Sequence, residues 1–208
     1  MTDPLPHRAT RADIAARCAA FVRQHQSPPP GLKRAAVVIA LVEQEDGQIA
    51  FLLTLRPATL RAHSNQWALP GGRCDGDETA VAAALRELHE ELGLRLTPAD
   101  VLGVLDDYPT RSGYLITPVV AWADRGAQLA PNPDEVAELH RIPLALIAEA
   151  DAFDFISIPE SDRPVIRYRY RGDYIHAPTT ALIYQFRELL AGRITRVAGL
   201  EQPVFAWR

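Results

Sequence analysis

The spacing of apolar residues along the 208-residue chain changes character several times. The unbroken apolar run at 35–42 predicts a strand covered on both faces. A polar turn at 43–47 separates it from a second strand at 49–55. Further strands are predicted around 101–105, over 114–122 (rich in β-branched and aromatic residues) and over 135–142. Residues 153–158 and 165–171 read as a hairpin. Helical spacing predicts three helices. The first covers 10–24, with Ile14, Cys18, Phe21 and Val22 on one side, and is broken by Ser27-Pro-Pro-Pro-Gly31. The others cover 78–92 and 176–191, and the tail 197–208 is irregular or a short strand. This succession predicts one α/β (α+β) domain over 32–208, a mixed sheet between helices, with an N-terminal helix and linker over 1–31 appended to it.

The helix at 78–92 carries the most informative pattern. Asp77 is a good N-cap, Glu78 complements the helix dipole, and Gly93 suits the left-handed residue that ends a helix. At about 100° per residue, Val81, Leu85, Leu88 and Leu92 form one apolar stripe. Glu87, Glu90 and Glu91 fall at i, i+3 and i+4 on another face, roughly 140° away. Ala80, Ala83 and Ala84 lie on the carboxylate side, where small side chains leave room for a ligand. Three like charges on one face repel one another. A hard divalent cation, which takes carboxylates and phosphate oxygens, removes that repulsion. Arg86 stands at the edge of this face, placed to orient Glu78 or Glu87 by a charge-assisted hydrogen bond. Gly71 and Gly72 are expected to turn the chain tightly before the helix and to allow close approach of a ligand.

Residues 72–94 read G-x5-E-x7-R-E-U-x-E-E-x-G-U, with U aliphatic. This resembles the signature of the Nudix hydrolases at every fixed position. The resemblance implies an α/β/α sandwich and a pyrophosphohydrolase of phosphoanhydrides that depends on Mg2+ or Mn2+. It further implies metal ligation by Glu87, Glu90, Glu91 and the Gly71 carbonyl. Arg86 would assist catalysis, and Gly72, Glu78 and Gly93 would be structural positions of the motif. A carboxylate is expected to take the proton of the attacking water, the candidates being Glu87 and Glu91, with Glu135 and Glu138 as further ones.

Upstream, residues 52–72 read LLTLRPATLRAHSNQWALPGG, similar to the coenzyme A pyrophosphatase branch of that family. Residues 105–120 and 132–144 also resemble it. The branch implies cleavage of coenzyme A or its thioesters, with Arg56, Arg61 and His63 as the phosphate- and substrate-binding set. Three departures stand out. Asn65 replaces a Gly, Trp67-Ala-Leu69 replaces an aliphatic residue and a Phe, and His176-Ala177 replaces a Trp-Gly pair. ADP-ribose or another nucleoside diphosphate derivative is the alternative substrate. A non-catalytic nucleotide-binding module is the alternative of another class.

Composition narrows the setting. Hydrophobic content of 48% and charged content of 23% are those of a soluble globular chain. A net charge of −4 gives no electrostatic case for nucleic acid, so the expected partner is a small nucleotide-type molecule, and a homodimer is compatible with the sequence. Two cysteines, Cys18 and Cys74, form no disulfide framework. With no membrane-length apolar run and no apolar signal segment, the expected location is the cytoplasm. Cys74 and His89 carry no evident chemistry. Asp106 and Asp107 are either extra ligands or a strand end. The alternation Arg167-Tyr-Arg-Tyr-Arg171 reads as a half-exposed strand.

Overall fold

The computed structural model describes residues 9–24, 31–58 and 65–203. Arg61 and His63, expected to bind substrate, therefore lie outside the described residues, as does most of the proline-rich break.

The centre of the fold is the parallel pair of strands β1 (Lys33–Glu43) and β7 (Tyr114–Ala123), in register from Lys33↔Tyr114 to Val42↔Ala123. β2 (Ile49–Leu55) pairs antiparallel with β1, and β5 (Val101–Val104) pairs antiparallel with β7. Three short strands complete the neighbourhood of the site: β3 (Trp67–Ala68) on β2, β4 (Gly71–Arg73) on β1, and β6 (Tyr108–Pro109) on β7. β8 (Glu138–Pro143) pairs with β2. The result is an eight-stranded mixed sheet. A separate three-stranded antiparallel sheet holds β9 (Phe153–Ile158), β10 (Ser161–Tyr170) and β11 (Asp173–His176).

Alternation along the strands builds two cores, one on each face. Even positions of β1 (Ala36, Val38, Ala40, Val42) join Ala50, Leu52, Val119 and Ala121 beneath helix α2 (Ala80–Leu92). Odd positions (Ile39, Leu41) join Phe51, Leu53, Val120 and Trp122 on the other face. Helices α1 (Arg11–Ala20) and α4 (Thr179–Leu190) pack there, with the short helix α3 (Leu144–Ala148) beside them. Residues covered on both sides account for the unbroken apolar runs of β1 and β2. Helices on both faces of the sheet make the expected α/β/α sandwich.

Several local expectations change. α1 ends at Ala20, so Val22 lies beyond the helix and is exposed, while Ile14 and Cys18 are buried. α2 starts two residues later than its acidic cap signal suggested, because 75–78 forms a turn closed by Glu78 N–H donating to the Asp75 carbonyl at 2.8 Å. Thr79 is then the cap, its Oγ accepting from Ala82 N at 3.1 Å. Gly93 ends the helix at φ +67°, as expected. Ala83 and Ala84 are fully buried and packed against the sheet. Their small size brings the helix close to β1 and opens no path for a ligand. Gly71 and Gly72 form strand β4, not a turn.

Asp106 and Asp107 prove to be buried anchors. Asp107 accepts from Arg23 and from Thr117 Oγ, each at 2.6 Å. Asp106 accepts from Gln24 N at 2.7 Å and Arg196 at 2.6 Å. Breaking a buried pair by removing one partner costs about 3–5 kcal/mol. The C-terminal segment is tied back in the same way. Arg111 donates bidentately to Glu201 at 2.8 and 2.6 Å, and Ser161 Oγ donates to the same carboxylate at 2.7 Å.

The Arg111 hydrogen bonds hold the Glu201 carboxyl at about 2, below its ordinary 4.5. Because the folded value is the depressed one, this contribution is full above pH 4.5 and is lost as pH falls toward 2. Chemical denaturation across that window will show unfolding free energy falling with pH in the unmutated chain. The fall will be shallower in Glu201→Gln, and an unchanged slope would remove Glu201 as its source.

Candidate active site

Strand β4 and helix α2 place the acidic residues, and glycines set their distance. A Cβ at Gly71, where φ is +151°, would overlap the Ala36 carbonyl oxygen, so only glycine fits against β1 there. A Cβ at Gly72 would overlap the Glu87 carboxylate. Gly72 is thus a cradle for Glu87, and the Gly71 N–H donates to Glu91 at 3.3 Å.

The three helix carboxylates do not share one environment. Glu91 is buried, Glu87 is half-buried, and Glu90 has a side chain 51% exposed. Adjacent residues diverge by about 100° around a helix, so Glu90 and Glu91 part while Glu87 and Glu91 stay together. Arg86 binds the outer acids: it donates to Glu78 at 3.1 and 3.0 Å, to Glu87 at 2.9 Å, to Glu90 at 3.0 Å and to the Arg73 carbonyl at 3.0 Å. It therefore ties the helix to the 73–78 loop, engages Glu78 and Glu87 together, and lies outside the cavity lining. Its hydrogen bonds hold the Glu78 carboxyl below the usual range and raise its own pKa.

Glu87 and Glu91 open into a cavity of about 410 Å³. Glu135 lines it too, brought there by a loop whose Ala130 and Asn132 N–H groups donate to the carbonyls of Leu92 and Glu91 at 2.8 Å each. Glu138 does not line it, and its carboxylate accepts from His140 Nε2 at 2.7 Å. Arg56 and Arg73 supply positive charge. Arg56 stands 3.8 Å from Glu91, and among the described residues its buried Nε has no hydrogen-bond partner. Arg73 lies over the Tyr114 ring at 5.4 Å. Trp67, Leu69, Ile116 and Leu182 form an apolar wall.

Burial pushes the Glu91 carboxyl up to about 8, against the pull of Arg56 and the Gly71 N–H, and Glu87 and Glu135 push it further. Burial also raises Glu87, against Arg86. When all three are ionised, Glu87, Glu91 and Glu135 outnumber Arg56 and Arg73, and burial disfavours that charged state for Glu91. Among the described residues no three His, Cys, Asp or Glu side chains form a ready-made ligand cluster. Arg86 and the Gly71 N–H take the carboxylates in this arrangement. The donors are nonetheless hard oxygens on a cavity short of positive charge, which fits a divalent ion that also takes water and phosphate oxygens.

Other candidates settle as structural. Burial raises the half-buried Cys74 thiol, the reverse of an activated nucleophile. His89 is half-buried in the last turn of α2. The strand expected over 167–171 ends at Tyr170, with Arg171 in the turn at φ +51°; within it Tyr168 is buried and Tyr170 bonds His140 at 2.8 Å. Sequence reasoning missed Arg73, Tyr114, Thr179 and Gln202 as cavity residues. They come from four distant segments, and no local periodicity marks them.

With this geometry in place, comparison with known proteins decides the family. The NUDIX domain family matches residues 32–161, more than half of the chain. The chain belongs to the Nudix family. It is 33% identical over 174 residues to a protein of Photorhabdus laumondii described as an uncharacterized Nudix hydrolase, NudL, spanning 79% of this chain and 92% of the relative. The corresponding NudL of Escherichia coli K12 is 40% identical over 114 residues, 54% of this chain and 58% of that one. A crystal structure of a MutT/nudix family protein from Enterococcus faecalis aligns with a TM-score of 0.50 at 17% identity, over 85% of this chain and 68% of that one, and shows the fold. As a Nudix hydrolase the chain is a pyrophosphohydrolase of phosphoanhydride bonds in small nucleotide substrates, and the family generally uses divalent metal. No helix among the described residues is long and apolar enough to cross a membrane.

The Gly72 cradle gives a direct test. Gly72→Ala will displace the Glu87 carboxylate and lower kcat by about a hundredfold, the scale of an ångström-sized misplacement. Steady-state turnover together with a thermal melt checks this, and near-normal turnover in the folded variant would show that the position of Glu87 is not critical.

Proposed function

We propose that this Nudix hydrolase cleaves the diphosphate of coenzyme A or its derivatives, using Mg2+ or Mn2+. The observation that carries the reading is the convergence of Glu87, Glu91 and Glu135 with Arg56 and Arg73 on one cavity that also has an apolar wall. The buried Arg56 Nε, which has no partner among the described residues, is a donor that a phosphate oxygen would satisfy. Glu87, Glu90, Glu91 and the Gly71 carbonyl are the proposed metal-holding groups, with Glu90 released from Arg86. The bound ion supplies charge neutralisation of the diphosphate and lowers the pKa of a water molecule. Glu91 or Glu87 accepts the proton of the attacking water, and Glu135 is a third group within the same cavity. Arg86 is a positioning residue, acting through Glu87.

The coenzyme A branch rests on the resemblance of residues 52–72, 105–120 and 132–144. The structure offers one observation on its departures. Asn65 adopts φ +55°, the left-handed region where Gly is at home and Asn is among the best-tolerated substitutes. The Gly-to-Asn departure therefore preserves the backbone. Arg61 and His63 remain proposed substrate contacts on the resemblance alone.

Glu91→Gln will lower kcat by about 10²–10⁴-fold, the range for losing a proton-transferring group, without loss of thermal stability, because Gln keeps an oxygen for the Gly71 N–H and never takes on the charge that burial disfavours. Turnover near that of the unmutated chain at saturating Mg2+ would remove Glu91 from the site. A substrate panel of coenzyme A, ADP-ribose and a dinucleoside polyphosphate, read by product mass, tests the branch. ADP-ribose preferred by about a hundredfold, equivalent to roughly 2.7 kcal/mol, would overturn it.

A further inference from the structure

A second cavity of about 300 Å³ adjoins the acidic one. Gln66, Trp67, Pro178 and Thr179 line both, so the two share a wall. Its remaining lining comes from Asn65 and from the 173–177 segment that includes β11. The partition is built firmly. The Trp67 ring meets His140 edge-on at 4.8 Å and Tyr170 at 5.4 Å, and His140 is hydrogen-bonded at both ring nitrogens, to Tyr170 at 2.8 Å and Glu138 at 2.7 Å. Thr179 Oγ donates to the Trp67 carbonyl at 3.2 Å, joining β3 to the start of α4.

The two cavities differ in charge. The acidic cavity has Arg56 and Arg73 for phosphate oxygens. Among the described residues lining the second there is no Lys or Arg, burial holds the His176 imidazole toward its neutral form, and Asp173 contributes a carboxylate. Nearby Arg167 lies over the Tyr174 ring at 3.9 Å, with its charge met by Asp154 at 3.3 Å. A phosphate-bearing group is unfavourable in such a place. Amide side chains (Asn65, Gln66), hydroxyls (Tyr174, Thr179) and apolar surface (Trp67, Pro178) suit an uncharged chain that carries amides and short apolar segments.

We propose that this second cavity receives the neutral pantetheine arm of the substrate, while its diphosphate lies beside Glu87 and Glu91 and its phosphorylated nucleoside lies away from Asp173. The proposal rests on the coenzyme A reading of the first cavity. Trp67 is then the wall past which the arm leaves the diphosphate, and His140 and Tyr170 are positioning residues for that wall.

The test separates the two halves of the substrate. The unmutated chain, Tyr174→Ala and Asn65→Gly are titrated calorimetrically with 4′-phosphopantetheine and with adenosine 3′,5′-bisphosphate in the presence of Mn2+, after a thermal melt. Tyr174→Ala should weaken 4′-phosphopantetheine by about tenfold and the bisphosphate by less than about threefold, as expected for losing contacts to one half only. Asn65→Gly, which keeps the left-handed backbone and removes only a side chain, should weaken the same half by about threefold, and it decides alone if Tyr174→Ala does not fold. Weakening confined to the bisphosphate, or phosphopantetheine binding unchanged in the folded variants, overturns the proposal while coenzyme A cleavage by the unmutated chain stands. If the unmutated chain cleaves another diphosphate but neither cleaves coenzyme A nor binds 4′-phosphopantetheine, the functional reading fails, and the subsite falls with it.

Discussion

The close seating of α2 against β4 and β1 is the constraint on which the site depends. A helix bearing a buried carboxylate has to come near enough to a strand for a backbone N–H to reach it, as Gly71 N reaches Glu91. That distance is available only because the seam is made of glycine and alanine: Gly71 and Gly72 on β4, Ala36 on β1, Ala83 and Ala84 on the helix. Dense packing leaves no slack for larger side chains there. The same atoms that make the helix fit the core also set where the acids emerge.

Electrostatics then divides the acids between two tasks. Arg86 collects Glu78, Glu87 and Glu90 on the outer side and fixes the helix to the preceding loop. Glu91, with Glu87 and Glu135 nearby, is left in a cavity where burial disfavours its charge. Buried carboxylates short of positive charge are costly to keep, and in an enzyme that uses divalent metal the cost is offset when the ion and its phosphate ligands bind.

Distant segments close the site. The loop at 130–136 is held on the C-terminal end of α2 by backbone hydrogen bonds, which brings in Glu135. The C-terminal segment returns through Arg111–Glu201 and brings Gln202 to the same cavity. Asp106 and Asp107 anchor the stretch after α1 and the segment after α4 on the sheet's other face. These buried pairs have no part in the cavity and serve to fasten those two segments to the sheet.

Much of the frame was legible from the chain alone. The long strands β1, β2 and β7 and the helix α2 carry dense apolar patterns, and local periodicity is enough to specify them. The glutamate spacing and the Gly-rich loop likewise point to a metal site, and the resemblance of residues 72–94 to the Nudix signature points to the family and its phosphoanhydride chemistry. The short strands β3, β4 and β6 have no such signal, because two or three residues become strand only when a partner edge is present. The start of α2 was displaced because Asp77 is taken up in a turn, which leaves the cap to Thr79. What the sequence determined was the set of groups and their spacing along one helix. What only the tertiary structure decided was which of them meet. The sheet covers Ala83, Ala84 and Glu91 and leaves Glu90 in solvent, a loop some forty residues further on adds Glu135, and Trp67 becomes a wall because His140 and Tyr170 fold against it. Spacing along a helix is a local property, whereas burial and convergence depend on what the rest of the chain places opposite each face.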